Sequence, residues 1–273
     1  MTWVSDTPPD RVRIGSAGYA LAVLRGVPLA IWVFGMLAVH MFARLIERPI
    51  YGARRPYTPW ITVAVCRGAL AIMGLRRDVS GPRMTGPGAL VANHSSWLDI
   101  FVLNADAPLY FVSKAEVAGW PGIGLLAKAT GTVFIRRDRK EAAVQTALIR
   151  DRLAMGHRLL FFPEGTSTDN QRVLPFKTTL FSAFFADVPG LQVQPLTVAY
   201  HPPKGAAPRY YGWWGEMDFG RNLLKVLATG RQGRVQVIRH APVNVADAGD
   251  RKTLARACET AVRAGFESAK AQP

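Results

Sequence analysis

The chain has 273 residues, 34 Lys and Arg against 19 Asp and Glu, and a formal net charge of +15. That length buries a proper core in one large domain or two small ones, and the basic balance suits either nucleic acid or an anionic membrane surface. No nucleic-acid module or aromatic interleaving is present, so no nucleic-acid partner is expected. Cys66 and Cys258 stand far apart without a Cys/His cluster, which excludes a disulfide framework or zinc site and fits a reducing compartment.

Residues 1–15 are polar and read as a loose tail. Gly26 to Phe42 is almost wholly apolar, with Arg25 before it and Arg44 and Arg48 after it. As a helix this segment covers about 25 Å at ~1.5 Å per residue, just short of a hydrocarbon core, and Pro28 and Gly35 weaken it. A second apolar segment, Trp60 to Leu75, carries Arg67 in its middle and ends in Arg76-Arg77. Arginines flank both segments on both sides, without the one-sided bias of a single span. The expectation is a membrane-associated helical hairpin of two short helices within residues 1–80, dipping into one leaflet. Residues 1–88 hold 11 Lys/Arg against 4 Asp/Glu, so anionic headgroups attract this region. Two core helices of a soluble protein are the alternative.

Residues 81–88, Gly-Pro-Arg-Met-Thr-Gly-Pro-Gly, read as a linker. Residues 89–273 then alternate strands and helices. Strand 89–92 leads into a helix through Ile100 and Leu103 that Ser95 or Ser96 caps. Strand 109–112 precedes a short helix and a turn at Gly119–Gly122. Strand 132–135 runs into Arg136-Arg137-Asp138-Arg139-Lys140, and a helix over 139–155 follows, with Val144, Leu148 and Met155 as its buried face. Strand 158–162, helix 176–185, strand 192–199, a strand near 234–239 and a helix from Lys252 to about Lys270, capped by Asp250, complete the chain. The pattern implies an α/β domain with a mixed, largely parallel sheet flanked by helices. In such sheets ligands gather beyond the carboxyl ends of strands, and His94, Arg136 and Glu164 all follow predicted strands.

Within Val91-Ala92-Asn93-His94-Ser95-Ser96-Trp97-Leu98-Asp99, the five-residue spacing lets the Asp99 carboxylate reach the His94 imidazole. There it fixes the tautomer and stabilises the protonated ring. No neighbouring Cys or Gly-x-Ser-x-Gly elbow offers a protein nucleophile. The economical reading is that His94 deprotonates a substrate hydroxyl, although a His-Asp pair alone is often structural.

A second block, Phe162-Pro163-Glu164-Gly165-Thr166, breaks another apolar strand 70 residues beyond His94. Together the two blocks resemble the glycerolipid acyltransferase family, with its H-x4-D and F-P-E-G-T motifs in that order. The resemblance covers roughly residues 85–200. It implies that His94 is the general base, with Asp99 orienting it. Gly131-Thr132-Val133-Phe134-Ile135-Arg136-Arg137 resembles the family's second block, whose arginine engages the acceptor headgroup; the alternative is that Arg136, Arg137 and Arg139 form a solvated basic face. Glu164, Gly165 and Thr166 are implied in the acceptor site, and Gln194-Pro195-Leu196-Thr197 resembles the weaker fourth block near the acyl pocket.

One departure bears on the acceptor. The phosphatidate-forming version of the third block continues Glu-Gly-Thr-Arg-Ser, whereas this chain reads Glu164-Gly165-Thr166-Ser167-Thr168. Serine cannot supply the arginine's charge-assisted bond. Either Arg172 or Lys177 compensates, or the acceptor differs; residues 167–177 resemble the branch that acylates lyso-ornithine lipid. The resemblance implies transfer of an acyl group from acyl carrier protein or coenzyme A, as co-substrate, to a lysolipid hydroxyl. It implies no metal and no redox cofactor, and a place at the cytoplasmic face of the inner membrane. A thioester or lipid hydrolase and a non-enzymatic membrane-binding protein are the rival classes.

Overall fold

The computed structural model describes residues 3–9, 13–136, 141–185 and 188–271. Eight strands form one sheet: β1 (Arg76–Ser80), β2 (Gly88–Ala92), β3 (Tyr110–Lys114), β4 (Val133–Ile135), β5 (Leu159–Phe161), β6 (Gln192–His201), β7 (Arg234–Arg239) and β8 (Val243–Asn244). Their order is β1-β7-β6-β2-β5-β3-β4, with β8 also beside β6. The pairings β1–β7, β2–β5, β2–β6, β3–β4 and β3–β5 are parallel, and only β6–β7 and β6–β8 are antiparallel. The mixed, largely parallel sheet of the sequence reading is therefore what the chain adopts. It also takes in Arg76–Ser80, which that reading left with the N-terminal region.

The period of two along the central strands decides which layer each side chain joins. Leu90, Leu160, Val198 and Tyr200 point to the side covered by α1 (Ser16–Tyr51), α2 (Thr58–Met73), α3 (Asp99–Asn104) and α6 (Phe219–Ala228). Ala89, Val91, Leu159, Phe161 and Val193 point to the other side, where Ile149, Phe181, Leu254, Cys258 and Val262 pack. Those residues come from α5 (Ala142–Ala154), a 3-10 segment (Thr178–Phe185) and α8 (Arg251–Ala271). Cys66 and Cys258 are buried and free.

The N-terminal pair differs from two short helices. α1 is continuous through Pro28 and Gly35 for 36 residues, about 54 Å at ~1.5 Å per residue. It is long and apolar enough to cross a membrane. Its outward side is greasy: Val23, Leu24, Val27, Ile31, Phe34, Phe42, Leu45 and Ile46 are exposed. The inward side packs through Leu29 and Trp32, and Gly68 of α2 is needed because a Cβ there would meet the Trp32 indole at 2.3 Å. Glu47 closes the hairpin, accepting hydrogen bonds from the Tyr57 and Thr58 N–H groups and the Thr58 hydroxyl.

Three arginines of this basic region, the flanking Arg25, the mid-segment Arg67 and Arg55, are tied to helix carboxyl ends, where orphan carbonyls and the dipole favour a cation. Arg25 donates to the carbonyl of Leu227 in the last turn of α6 and to those of Thr229 and Gly230 just beyond it, and Arg67 to Ala105 after α3. Arg55 reaches Ala129 at the end of α4 (Ile123–Thr130).

Three local expectations need correction. Ser95 and Ser96 do not start a helix: the Asp99 carboxylate takes their N–H groups, so 95–98 wraps around it and α3 begins at Asp99. The segment 178–185 is a 3-10 rather than an α-helix. Val144 and Leu148 of α5 are exposed, whereas Ile149 and Leu153 are buried against the sheet. Both pairs have i, i+4 spacing, and only packing distinguishes them. Arg137 and Arg139 lie outside the described residues. The final helix matches expectation, with Asp250 Oδ1 accepting from Lys252 N at 2.6 Å and Thr253 N at 3.0 Å.

Candidate active site

Parallel pairing carries the carboxyl ends of β2, β5, β3 and β4 to one rim, which brings His94, the 162–168 loop, Lys114 and Arg136 together. His94 Nδ1 and Asp99 Oδ2 are 2.7 Å apart, and the same oxygen accepts Ser95 N at 2.9 Å and Ser96 N at 3.1 Å. The other carboxylate oxygen, Oδ1, accepts the Tyr200 hydroxyl at 2.5 Å. Asp99 is completely buried, and these partners satisfy both of its oxygens. With its Nδ1–H given to Asp99, the imidazole keeps Nε2 as the ring nitrogen able to accept a proton. Its ring stacks on Phe162, centroids 4.0 Å apart and planes 13° from parallel.

The third block grips the His94 backbone. Glu164 Oε1 accepts the His94 N–H at 2.6 Å and Oε2 accepts the Leu174 N–H at 2.7 Å. Thr168 returns two bonds to the His94 carbonyl, from its N–H at 3.0 Å and its hydroxyl at 3.2 Å. Asn93 is fixed to β6 by a reciprocal pair with Val198, both 2.8 Å. The His94 loop is thus held from both flanking strands. Burial pushes the Glu164 carboxyl up to about 8, against the pull of its two backbone N–H partners.

In front of His94 lies a cleft of about 830 Å³, within the usual range for small-molecule pockets. Its wall includes Arg136, Gly165, Thr166 and Lys177, all expected at the acceptor site, together with Lys114 and apolar residues such as Ile135, Ile149, Phe161 and Leu180. Gly165 has a φ of 71°, a left-handed conformation that glycine adopts without strain. Arg136 pairs loosely with Glu141 at 3.2 Å and is largely exposed.

Two of the expected residues stand elsewhere. Glu164 is 2 % exposed and faces backbone, so it builds the loop and is not part of the cleft wall. Arg172 is taken by Asp169, Nε to Oδ1 at 3.3 Å and Nη2 to Oδ2 at 3.1 Å, and its guanidinium lies over the Trp3 ring. It is not part of the cleft wall, so of the two proposed substitutes for the missing arginine only Lys177 is in place.

Sequence reasoning missed Tyr200, because its contact with Asp99 depends on how far β6 runs past β2. The expected strand 192–199 stops one residue short of Tyr200, whereas β6 continues to His201 and its alternation sets Tyr200 on the same face as Leu196 and Val198. Trp3 also was unforeseen: its N–H donates to Thr166 Oγ1 at 3.2 Å, so the tail is docked at the third block.

Comparison with known proteins shows the family and the fold. A family model described as Acyltransferase matches residues 76–199. A lyso-ornithine lipid O-acyltransferase of Rhodobacter capsulatus is 55% identical over 97% of this chain and 96% of its own length. A 1-acyl-sn-glycerol-3-phosphate acyltransferase of Neisseria gonorrhoeae is 36% identical over 54% of this chain and 60% of that protein. The crystal structure of the 1-acyl-sn-glycerophosphate acyltransferase PlsC from Thermotoga maritima shares the fold, with a TM-score of 0.67 over 94% of this chain and 97% of that one at 21% identity. The chain belongs to the acyltransferase family, as an enzyme of its lysolipid O-acyltransferase group.

Proposed function

We propose that the protein acylates the free hydroxyl of lyso-ornithine lipid, taking a fatty acyl group from a thioester of acyl carrier protein or coenzyme A at the cytoplasmic face of a membrane. The observation that carries the acceptor is the 55% identity along almost the entire chain to a lyso-ornithine lipid O-acyltransferase. The replacement of the third-block arginine by Ser167, with Arg172 locked onto Asp169, points the same way. 1-Acyl-sn-glycerol-3-phosphate is the second acceptor to consider, because of the likeness to enzymes named for it.

The chemistry follows from the dyad. His94 Nε2 removes the hydroxyl proton as the oxygen attacks the thioester carbonyl carbon, while Asp99 stabilises the imidazolium that forms. The tetrahedral intermediate collapses, the carbon–sulfur bond breaks, and the thiolate takes the proton from His94. Gly165, Thr166, Arg136 and Lys177 are the residues to bind the acceptor around this centre. No metal or redox cofactor enters the sequence of steps.

Membrane attachment rests on α1, whose outward apolar side chains have no cover among the described residues. An acceptor held in the leaflet then reaches the cleft without leaving the lipid. The test is transfer of labelled acyl groups by purified protein in vesicles, with lyso-ornithine lipid and lysophosphatidic acid offered separately. The expected result is product from the ornithine acceptor that disappears in His94→Ala. Product from lysophosphatidic acid alone sinks the acceptor, and His94-independent transfer sinks the mechanism.

A further inference from the structure

The wall of the cleft carries three cations, Lys114, Arg136 and Lys177, and among its described residues a single carboxylate, Glu216. That carboxylate is held in a defined place. Trp214–Met217 is a tight turn closed by Met217 N–H to the Trp214 carbonyl at 3.2 Å, with Gly215 at a φ of 61° and Glu216 at the tip. The Trp213 indole N–H clamps the Met217 carbonyl at 2.9 Å. The turn is in register with the catalytic loop, because Trp213 N–H donates to the carbonyl of Ser95, the residue after His94, at 2.9 Å. Trp120, 41 % exposed, meets Trp213 edge to face with centroids 6.2 Å apart.

We propose that Glu216, with the faces of Trp120 and Trp213, forms an ammonium-binding subsite for the acceptor headgroup. The inference rests on the reading of lyso-ornithine lipid as acceptor. An ornithine joined through its α-amino group keeps an α-carboxylate and a side-chain ammonium. A cleft for such a headgroup needs cations for the first and a carboxylate or aromatic face for the second. A phosphate monoester, in contrast, gains only from the cations and is repelled by Glu216. The turn therefore reads the amine and the cationic wall reads the carboxylate, and their combination separates the two acceptor classes.

The experiment compares lyso-ornithine lipid with the same lipid built on norvaline, which keeps the carboxylate and lacks the ammonium. Wild type, Glu216→Gln and Glu216→Asp are assayed in mixed micelles with one thioester donor. Wild type is expected to favour the ornithine acceptor in kcat/KM. Glu216→Gln raises KM for that acceptor by about tenfold, leaves the norvaline lipid unchanged, and so abolishes the preference; Glu216→Asp restores part of it. A preference that survives Glu216→Gln, or an equal loss on both lipids, overturns the subsite while leaving the acceptor reading intact. Failure of the wild type to use lyso-ornithine lipid overturns both, and that result is seen before any variant is made.

Discussion

Glu164 and His94, 70 residues apart, are joined by a carboxylate-to-amide hydrogen bond of 2.6 Å. The second carboxylate oxygen reaches Leu174 N–H, so one buried side chain ties the His94 backbone to the segment at Leu174, beyond the third block. Glutamine matches the shape but has one acceptor oxygen, and its NH2 confronts the remaining N–H donor. Leaving a buried amide unpaired costs about 1–3 kcal/mol. Above pH 8, where Glu164 is ionised and offers both acceptors, Glu164→Gln is expected to lower kcat about ten- to a hundredfold with a smaller change in KM, and to lower the melting temperature. Steady-state kinetics beside thermal unfolding check it; an unchanged kcat would remove Glu164 from the account of the loop.

The same residue gives a pH dependence with a definite sign. Burial raises the folded-state value to about 8 from 4.5, so between those values the folded protein binds more protons than the unfolded chain. Its contribution to stability is present below 4.5 and is lost as pH rises towards 8, with a slope of at most ~1.4 kcal/mol per pH unit. Denaturant unfolding across that window is expected to show this downward component in wild type and to lack it in Glu164→Gln.

Tyr200 donates to the one oxygen of Asp99 that faces away from His94. Tyr200→Phe removes that donor with little change in volume and leaves Oδ1 of a buried carboxyl without its partner, at a cost of about 1–3 kcal/mol. It is expected to lower kcat about tenfold with a smaller change in KM. A lower melting temperature with an unchanged kcat would assign Tyr200 to packing alone.

These relationships show why some of the site was readable in the sequence. His94 and Asp99 meet through five residues of local chain, and the Glu164 block announces itself by an apolar strand breaking at Pro163-Glu164-Gly165. The sheet rim likewise followed from strand alternation. Tyr200 reaches Asp99 only through the β2–β6 register that sets Ala92 beside Leu196, a long-range fact that no spacing contains. Arg172 stood at the right position in sequence, but the choice between ligand and Asp169 is made by side-chain geometry. In α5, Val144 and Leu148 had the same helical spacing as Ile149 and Leu153, and the sheet's position chose between them. α6, with Asp218 capping Arg221 N at 2.7 Å, was overlooked although its cap is visible in the sequence.

The placement of the basic residues separates Arg172 from the cleft. Arg136→Ala and Lys177→Ala are each expected to raise the acceptor KM about three- to tenfold, the range of a partly exposed charge-assisted contact. Arg172→Ala, whose charge is already matched by Asp169, is expected to change KM less than twofold. A large KM effect at Arg172 in a protein with an unchanged melting temperature would return that side chain to the acceptor site.

The two sides of α1 make opposite demands, which gives a test of membrane attachment. Leu29 is buried against the domain, so Leu29→Ala is expected to cost about 2–5 kcal/mol of stability. Ile31 and Leu45 are 68 % and 73 % exposed, so charging them costs little in the folded protein itself. In a membrane the same charges oppose burial of the helix side in acyl chains, by a few kcal/mol for each depending on depth. Ile31→Glu with Leu45→Glu is therefore expected to leave the detergent-purified enzyme folded and active on micellar acceptor. It should abolish co-sedimentation with vesicles and lower the rate on vesicle-borne acceptor at least tenfold. If the double variant still sediments with vesicles, the outward side of α1 is not the attachment surface. If Leu29→Ala is as harmless to stability as the exposed changes, α1 does not pack on the domain in solution, and the cleft loses the argument for its position beside the leaflet.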